Sequence, residues 1–205
     1  VLRTISHGFY HHGAMTQTTG IFGGSFHPIH MGHIQLARQI MQQAGLDEVW
    51  FMVSPLNPFK KGSTDLIDDQ QRLLMARRAL AAEPGMVASD YEFHLPKPSY
   101  TWRTLQHLAQ TYPDRQFALI IGADNWLAFD RWAKPDYILS HFPIIVYPRE
   151  GYAINGQLPP QVRLVNTELY PVSSTEIRRR AKDGEPFNDM VPKCIEPLVR
   201  AYYGR

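Results

Sequence analysis

From Gly20 onward, short apolar runs rich in β-branched and aromatic residues alternate with longer segments whose apolar residues recur at helical spacing. This alternation is typical of a parallel sheet with helices on both faces, because consecutive parallel strands need a crossover connection that covers the sheet. We therefore expect an α/β fold built on a doubly wound parallel sheet. The predicted strands are 19–22, 49–53, 87–89, 117–121, 144–147 and 162–165, and the predicted helices are one that ends at Gly45 and those at about 68–82, 99–110, 174–181 and 192–202.

The overall composition fits one globular domain and excludes several classes of protein. With 205 residues, 44% of them hydrophobic and 20% charged, the chain is long enough for one well-buried core. A formal net charge of +2 is too small to indicate a nucleic-acid or membrane surface. Cys194 is the only cysteine, and no apolar run reaches the roughly 20 residues that span a bilayer. These features predict a cytoplasmic protein without a disulfide, a nucleic-acid partner or a membrane anchor.

The first 18 residues lack the alternation that follows them. They mix His7, His11 and His12 with small and polar residues and show no sustained period. We expect residues 1–18 to be a tag remnant, an arm or a disordered leader, with Met15 as a candidate natural start, and residues 19–205 to form a single domain.

A motif rich in glycine and histidine lies between the first predicted strand and the first predicted helix. It reads Gly23, Gly24, Ser25, Phe26, His27, Pro28, Ile29, His30, Met31, Gly32 and His33. Glycines let backbone amides approach a phosphate, and a helix N-terminus adds unpaired N–H groups and a favourable dipole. His30 and His33 share a face on a helix, so both rings can donate to phosphate oxygens, while Gly32 leaves room for a base or a ribose. The motif predicts half of a phosphate-binding site.

Two other interpretations of this motif remain open. His30 and His33 could cap or pack the helix start without any ligand. Together with His27 they could bind zinc, but no cysteine or carboxylate cluster supplies the remaining ligands at a usable spacing. We therefore expect no metal ion that is bound by the protein itself.

A second motif, at 172–180, places hydroxyl groups and arginines at the start of a later helix. Ser173 and Glu176 have the spacing of a capping box, which predicts a helix that begins directly after Ser173. Ser174 and Arg178 share a helix face, which puts a permanent positive charge beside a helix N-terminus. Taken alone, this is also the pattern of an ordinary capped helix with solvated arginines. Two such helix starts in one short chain favour a polyphosphate ligand.

The two motifs resemble the HxGH and SSTxIR signatures of the adenylyltransferase superfamily, whose fold is Rossmann-like. The chain is similar to bacterial nicotinate mononucleotide adenylyltransferases over nearly its whole length from Gly20. The narrower resemblance is carried by the stretches 55–60, 98–101 with Thr104 and Leu105, and 122–124 with Trp132. One departure is His27, where the family more often has Asp or Asn.

The resemblance implies that ATP and nicotinate mononucleotide give nicotinate adenine dinucleotide and pyrophosphate, a late step of NAD biosynthesis. It implies no covalent enzyme intermediate and a Mg²⁺ ion carried mainly by the ATP phosphates. The implied catalytic residues are His30, His33 and Arg178; those for ATP and its phosphates are Gly23, Gly24, Ser25, Phe26, Gly32, Lys60, Ser173, Ser174 and Thr175; those for the acceptor and its ribose are Ser99, Tyr100, Thr101, Gly122, Asp124 and Trp132.

Within the acceptor set, Trp132 is expected to stack on the pyridine ring and Thr101, with nearby backbone N–H groups, to hold the nicotinate carboxylate. Asp124 suits a ribose hydroxyl, and Lys60 a phosphate. The competing interpretations are structural: Trp132 as a core residue, Lys60 as a solvated loop charge, and Asp124 as the cap of a helix that starts at Asn125.

Other functions stay open at this stage. The acceptor could instead be nicotinamide mononucleotide or phosphopantetheine, and the chain could be a nucleotide sensor without turnover. A fragment of a class I aminoacyl-tRNA synthetase is disfavoured, because the sequence has no KMSKS-like loop and no tRNA-binding extension. The oligomeric state is left open, a homo-oligomer included.

Overall fold

The structure is a computed structural model that describes residues 16–56 and 67–204. Within these residues six strands form one sheet: β1 (Gln17–Gly24), β2 (Glu48–Val53), β3 (Met86–Ser89), β4 (Arg115–Gly122), β5 (Ile144–Tyr147) and β6 (Val162–Leu164). The helices are α1 (Met31–Ala44), α2 (Asp69–Leu80), α3 (Thr101–Thr111), α4 (Ala123–Leu127), α5 (Pro135–His141), α6 (Ser174–Asp183) and α7 (Glu196–Tyr203). All strand pairs are parallel, in the order β3-β2-β1-β4-β5-β6.

Apolar cores lie on both faces of the sheet. Because successive side chains of a strand point to opposite faces, Phe22 and Ile120 belong to one core, whereas Ile21 and Leu119 belong to the other. Residues of α1, α2, α6 and α7 complete the first core, and residues of α3 and α5 complete the second. The expected doubly wound α/β fold is confirmed.

The strand order reverses at the centre of the sheet. The chain runs outward from β1 to β2 and β3, then returns to β4 on the other side of β1 and continues outward to β5 and β6. At such a switch point the connections leave on opposite faces, which opens a crevice beyond the carboxyl ends of the central strands. This crevice lies where Gly24 of β1 and Gly122 of β4 end their strands.

Local sequence signals set the ends of the longer helices. His30, Asp68 and Ser173 are N-caps whose side chains accept a hydrogen bond from the amide three residues further on. Gly45 and Gly184 end α1 and α6 in the left-handed region, at φ of 64° and 69°. The prediction that a helix begins directly after Ser173 is confirmed.

Some element boundaries differ from those predicted. Strand β1 begins at Gln17, two residues earlier than expected, because Gln17 and Thr18 pair with Arg115 and Gln116 of β4. The segment predicted as one last helix, about 192–202, instead forms a 3-10 turn at Lys193–Ile195 followed by α7. Helices α4 and α5 were not predicted, since at five and seven residues they are too short to show a period.

The described residues contain no helix that is both long and apolar enough to cross a bilayer.

Candidate functional site

Two adjoining cavities open at the carboxyl ends of the central strands. The larger has a volume of about 750 Å³ and the smaller about 370 Å³. Gly23, Gly24 and Tyr147 line both cavities, so the two glycines that end β1 and the last residue of β5 form the wall between them. An added Cβ at Gly23 would meet nothing within 4 Å, which leaves its backbone open to a ligand.

The smaller cavity brings the two sequence motifs together. Its lining includes Gly23, Gly24, Ser25, Phe26, His30, Gly32 and His33 of the first motif, and Ser173 and Ser174 of the second. The motifs are separated by more than 100 residues in sequence, and the sheet topology places their two helix starts at the same edge.

The histidines of the first motif cap helix α1 and pair with one another. The His33 amide donates to Nδ1 of His30 at 3.4 Å, and the His30 amide donates to Nδ1 of His33 at 3.1 Å. Their rings stack with centroids 3.6 Å apart. The expectation of a shared helix face needs correction, because His30 is the N-cap and lies outside the helix. Capping, the competing interpretation, is therefore one of their roles.

This reciprocal cap fixes the state of both rings. Because each Nδ1 accepts from a backbone amide, a neutral imidazole here must carry its proton on Nε2. Burial lowers the pKa of His30 from its ordinary 6.5 to about 4. Burial, with the charges of His30 and Arg149 close by, holds the pKa of His33 well below 6.5. Both rings are thus neutral at pH 7, with their Nε2–H groups as the remaining donors beside the cavity.

The free donors of the α1 N-terminus are fewer than the motif predicted. The Met31 amide donates to the Met190 carbonyl at 2.8 Å, and the His33 amide is taken by His30. The room beside Gly32 is also used within the protein: an added Cβ would lie 2.8 Å from Cε1 of His30. Gly32 nevertheless lines the smaller cavity, so its predicted contact with a base or ribose stays a prediction.

A pH-dependent stability follows from the neutral burial of His30. The unfolded chain protonates this ring below about pH 6.5, but the folded chain does so only below about pH 4, so its stabilising contribution is full above pH 6.5 and is lost as the pH falls toward 4. Between pH 7 and pH 5, the free energy of unfolding of the unaltered chain should therefore fall by about 2 kcal/mol more than that of His30→Asn. The Asn side chain keeps the cap but does not titrate. Urea titrations at both pH values measure this difference, and equal losses in the two proteins would refute it.

The start of α6 is fastened to the first motif. The Ser174 hydroxyl donates to the Pro28 carbonyl at 2.9 Å, and Nη1 of Arg178 donates to the His27 carbonyl at 2.7 Å. Arg178 also approaches the Thr175 hydroxyl at 3.4 Å. Ser173 and Ser174 line the smaller cavity, as predicted. Thr175 and Arg178 do not line it.

His27, the departure from the family pattern, is held by the end of the chain. Its Nδ1 lies 2.8 Å from the Tyr203 hydroxyl, and the two rings meet edge to face with centroids 5.1 Å apart. Burial raises the pKa of Tyr203. Helix α7 thus supports the turn between the glycines and His30.

Arg149 is a residue of the smaller cavity that sequence reasoning missed. It follows β5 by two residues, and its Nε lies 3.6 Å from Oδ1 of Asp124. Its position could have been found by asking which side chains follow the carboxyl end of each predicted strand, the rule that drew attention to Asp124. It adds a guanidinium to the two neutral histidine donors.

The larger cavity collects part of the predicted acceptor set. Ser99, Thr101 and Trp132 line it, together with residues that were not predicted, among them Lys97 and Asn125. Trp132 is half-buried and packs against Phe129, with ring centroids 5.2 Å apart, so it borders both the cavity and the core.

A helix N-terminus also reaches the larger cavity. Helix α3 begins at Thr101, and its N-cap Tyr100 makes no side-chain capping bond. The Tyr100 carbonyl accepts from the Arg103 and Thr104 amides, so the first-turn amides of Thr101 and Trp102 precede the helical hydrogen-bond pattern. These amides and the helix dipole suit an anionic group.

Glu92 is a buried carboxyl group in the wall of the larger cavity. Burial raises the pKa of Glu92, while hydrogen bonds from the hydroxyls of Thr104, Ser54 and Ser99 act in the opposite direction. Sequence reasoning missed it because a carboxylate in a short 3-10 turn carries no distinctive pattern.

Some predicted site residues lie outside the cavity linings. Tyr100 is 39% exposed and packs under the Arg103 guanidinium. Gly122 is the N-cap of α4, and Asp124 lies within the first turn of that helix, so Asp124 is not its cap. Asp124 contacts Arg149 at the rim. Lys60 lies outside the described residues.

Metal-ligating side chains do not gather in the part of the chain that the structure describes: it contains no group of three or more His, Cys, Asp or Glu that could hold an ion. Glu168 is the carboxylate that lines the smaller cavity, and Asp124 nearby is paired with Arg149. A divalent cation at this site would take most of its ligands from a polyphosphate and water.

Comparison with known proteins gives concordant results. A family model described as cytidylyltransferase-like matches residues 21–180. A Bacteroides fragilis protein named "Probable nicotinate-nucleotide adenylyltransferase" is 50% identical over 168 residues, which cover 82% of this chain and 83% of that protein. A Bacteroides thetaiotaomicron protein of the same name is 50% identical over 185 residues, covering 90% and 91%.

A solved structure shares the fold. Plasmodium falciparum nicotinic acid mononucleotide adenylyltransferase, complexed with NaAD, superimposes with a TM-score of 0.71 at 20% identity, covering 91% of this chain and 94% of that one. At that identity the likeness shows the fold alone, and the sequence relatives carry the narrower assignment. The chain belongs to the cytidylyltransferase-like family, among its nicotinate-nucleotide adenylyltransferases.

Proposed function

We propose that this chain transfers the adenylyl group of ATP to the phosphate of nicotinate mononucleotide, forming nicotinate adenine dinucleotide and releasing pyrophosphate. The observation that carries the proposal is the pair of adjoining cavities, one lined by both helix starts and two neutral histidines, the other by Trp132 and the uncapped start of α3. A reaction between two ligands makes use of both cavities and of their shared wall.

ATP is assigned to the smaller cavity. The Nε2–H groups of His30 and His33 donate to phosphate oxygens, and the first-turn amides of α6 with the hydroxyls of Ser173 and Ser174 hold the departing pyrophosphate. Arg149 and Arg178 supply positive charge on either side. Gly23, Gly24 and Ser25 bring backbone close to the α-phosphate, with Phe26 as packing beneath. Mg²⁺ is carried by the ATP phosphates and neutralises part of their charge.

Nicotinate mononucleotide is assigned to the larger cavity. Trp132 stacks on the pyridine ring, and the Thr101 hydroxyl with the first amides of α3 holds the carboxylate. Lys97 adds a positive charge to the same wall. Ser99 lines the route toward the shared glycines.

The chemistry needs alignment rather than a covalent intermediate. An oxygen of the acceptor phosphate attacks the α-phosphorus of ATP, a new P–O bond forms, and the bond from that phosphorus to the bridging oxygen breaks, with both electrons leaving on pyrophosphate. The acceptor phosphate is already an anionic nucleophile, so the protein holds it in line and stabilises the charge that develops on the leaving oxygens.

The deciding experiment is pyrophosphate release from ATP and Mg²⁺ with nicotinate mononucleotide, nicotinamide mononucleotide or phosphopantetheine supplied separately. A strong preference for the first supports the proposal. Preference for another acceptor would keep the adenylyl transfer but refute the assignment of Thr101 and Trp132. Absence of release with all three would favour a nucleotide sensor.

The acceptor assignment predicts a selective effect of Trp132→Ala. Loss of a stacking partner worth about 1–3 kcal/mol should raise KM for nicotinate mononucleotide about 5- to 150-fold and leave KM for ATP within about twofold. Trp126→Ala is the matched control, because Trp126 packs on the same Phe129 at 5.4 Å but does not line the cavity. Steady-state kinetics with each substrate varied measure the split, and equal KM changes in the two variants would assign Trp132 to the core instead.

A further inference from the structure

Ser54, the first residue after β2, is held by both of its backbone polar groups. Its amide donates to the Gly24 carbonyl at 2.9 Å, and its carbonyl accepts from Nη2 of Arg72 at 2.9 Å. Its hydroxyl is close enough to the Glu92 carboxylate to lower the pKa of that group. Because Ser54 lines the larger cavity and Gly24 lines both, Ser54 joins the shared wall to the acceptor side.

Arg72 connects the loops that follow two neighbouring strands. It lies on α2 and is fully buried. Its Nη1 donates to the carbonyl of Ser25, which lines the smaller cavity, and its Nη2 donates to Ser54. Asp69 accepts from the same Nη2 at 2.5 Å and from the Leu56 amide at 3.1 Å. One guanidinium therefore spans a wall residue of each cavity.

Glu92 continues this chain of contacts into the acceptor side. It accepts from the Thr104 hydroxyl at 3.3 Å, and the hydroxyls of Ser54 and Ser99 are close enough to lower its pKa. Ser99 and Thr104 both line the larger cavity, on the loop before α3 and on α3 itself. The hydrogen bonds thus join Ser25 to Ser54 through Arg72, and Glu92 lies between Ser54 and the start of α3.

Stability alone is a poor explanation for this arrangement. Burying a guanidinium costs desolvation free energy, and Nε of Arg72 has no hydrogen-bond partner among the described residues, which adds to that cost. Apolar residues of similar volume often stabilise such a site as well or better. What a planar guanidinium provides is two donors at a fixed spacing.

We propose that Arg72 and Glu92 are positioning residues that fix the two cavities relative to each other, and so align the acceptor phosphate with the α-phosphorus of ATP. This inference rests on the proposed function. Neither side chain needs to touch a reacting atom: Arg72 acts through the carbonyls of Ser25 and Ser54, and Glu92 through the hydroxyls of Ser54 and Ser99.

The test is Arg72→Lys, which keeps the positive charge but has one nitrogen and cannot span both carbonyls. Misalignment of the reacting groups should lower kcat about 10- to 100-fold, with both KM values within about threefold of the unaltered chain. ATP binding measured by calorimetry without acceptor should be unchanged. Arg77→Lys is the matched control on the same helix, where the side chain is 53% exposed, and it should leave kcat unaltered.

Glu92→Gln tests the second positioning residue, and it provides the test of the inference if Arg72→Lys does not fold. It keeps the size of the side chain but weakens acceptance from the hydroxyls, so kcat should fall about 5- to 10-fold with ATP binding intact. A folded variant with the kcat of the unaltered chain, or with a change in KM alone, overturns the inference. Failure of the proposed function is distinct, because the unaltered chain would then release no pyrophosphate with nicotinate mononucleotide.

Discussion

A His33→Ala variant is expected to lose about 10²- to 10³-fold in kcat for pyrophosphate release. The ring is neutral, its Nδ1 is engaged by the His30 amide, and its Nε2–H is the donor left beside the smaller cavity. Removing one preorganised donor from developing charge in a buried site costs about 2.7–4 kcal/mol of transition-state stabilisation. Steady-state kinetics at pH 7.5 with saturating ATP and acceptor measure the loss.

The same substitution also removes half of the α1 cap, so folding must be separated from catalysis. His33→Gln keeps an acceptor for the His30 amide, because Gln at this position completes a capping box. It should restore the melting temperature but only part of the activity. His94→Ala, on a side chain that is 73% exposed, is the control for loss of a histidine. If His33→Ala melts earlier yet keeps its kcat, capping is the whole role of His33.

Much of the fold could be predicted because local sequence patterns indicate most of its strands and helices. Buried parallel strands read as apolar runs, and Gly45 and Ser173 are residue types that end or begin helices for stereochemical reasons. The short helices α4 and α5 could not be predicted, because their formation depends on packing against the rest of the protein and they are too short to show a periodic pattern of apolar residues.

Residues of the site could be predicted from the sequence only where they belong to a recognisable motif. The histidine and serine motifs are contiguous, so their meeting at the smaller cavity follows from strand order once the fold is known. The states of the groups could not be predicted, because the low pKa of His30 comes from tertiary burial. Arg72 illustrates the same limit: in sequence it resembles Arg77 and Arg78 on α2, and burial alone sets it apart.

Neighbouring arginines on α6 offer the sharpest contrast of roles. Arg178 is half-buried and donates to the His27 carbonyl at 2.7 Å, which ties α6 to the glycine and histidine motif. Arg179 instead pairs at the surface with Glu176, Asp183 and Glu185, each at 2.9 Å. Its hydrogen bond, with that of Arg180, lowers the pKa of Glu176 to about 2. Arg178 thus contacts the motif that lines the smaller cavity, whereas Arg179 forms ion pairs at the surface.

We therefore expect Arg178→Ala to lower kcat about 10²- to 10³-fold and Arg179→Ala to leave it within about twofold. The first removes a guanidinium beside the pyrophosphate site together with the anchor of the His27 turn, whereas exposed ion pairs contribute only about 0–1 kcal/mol to stability. Arg178→Lys should recover part of the loss, since it restores charge but not the fork geometry. Pyrophosphate release and thermal melting of the three variants measure both effects. Equal losses of kcat at positions 178 and 179 would mean that general positive charge on α6, rather than the placement of Arg178, supports the reaction.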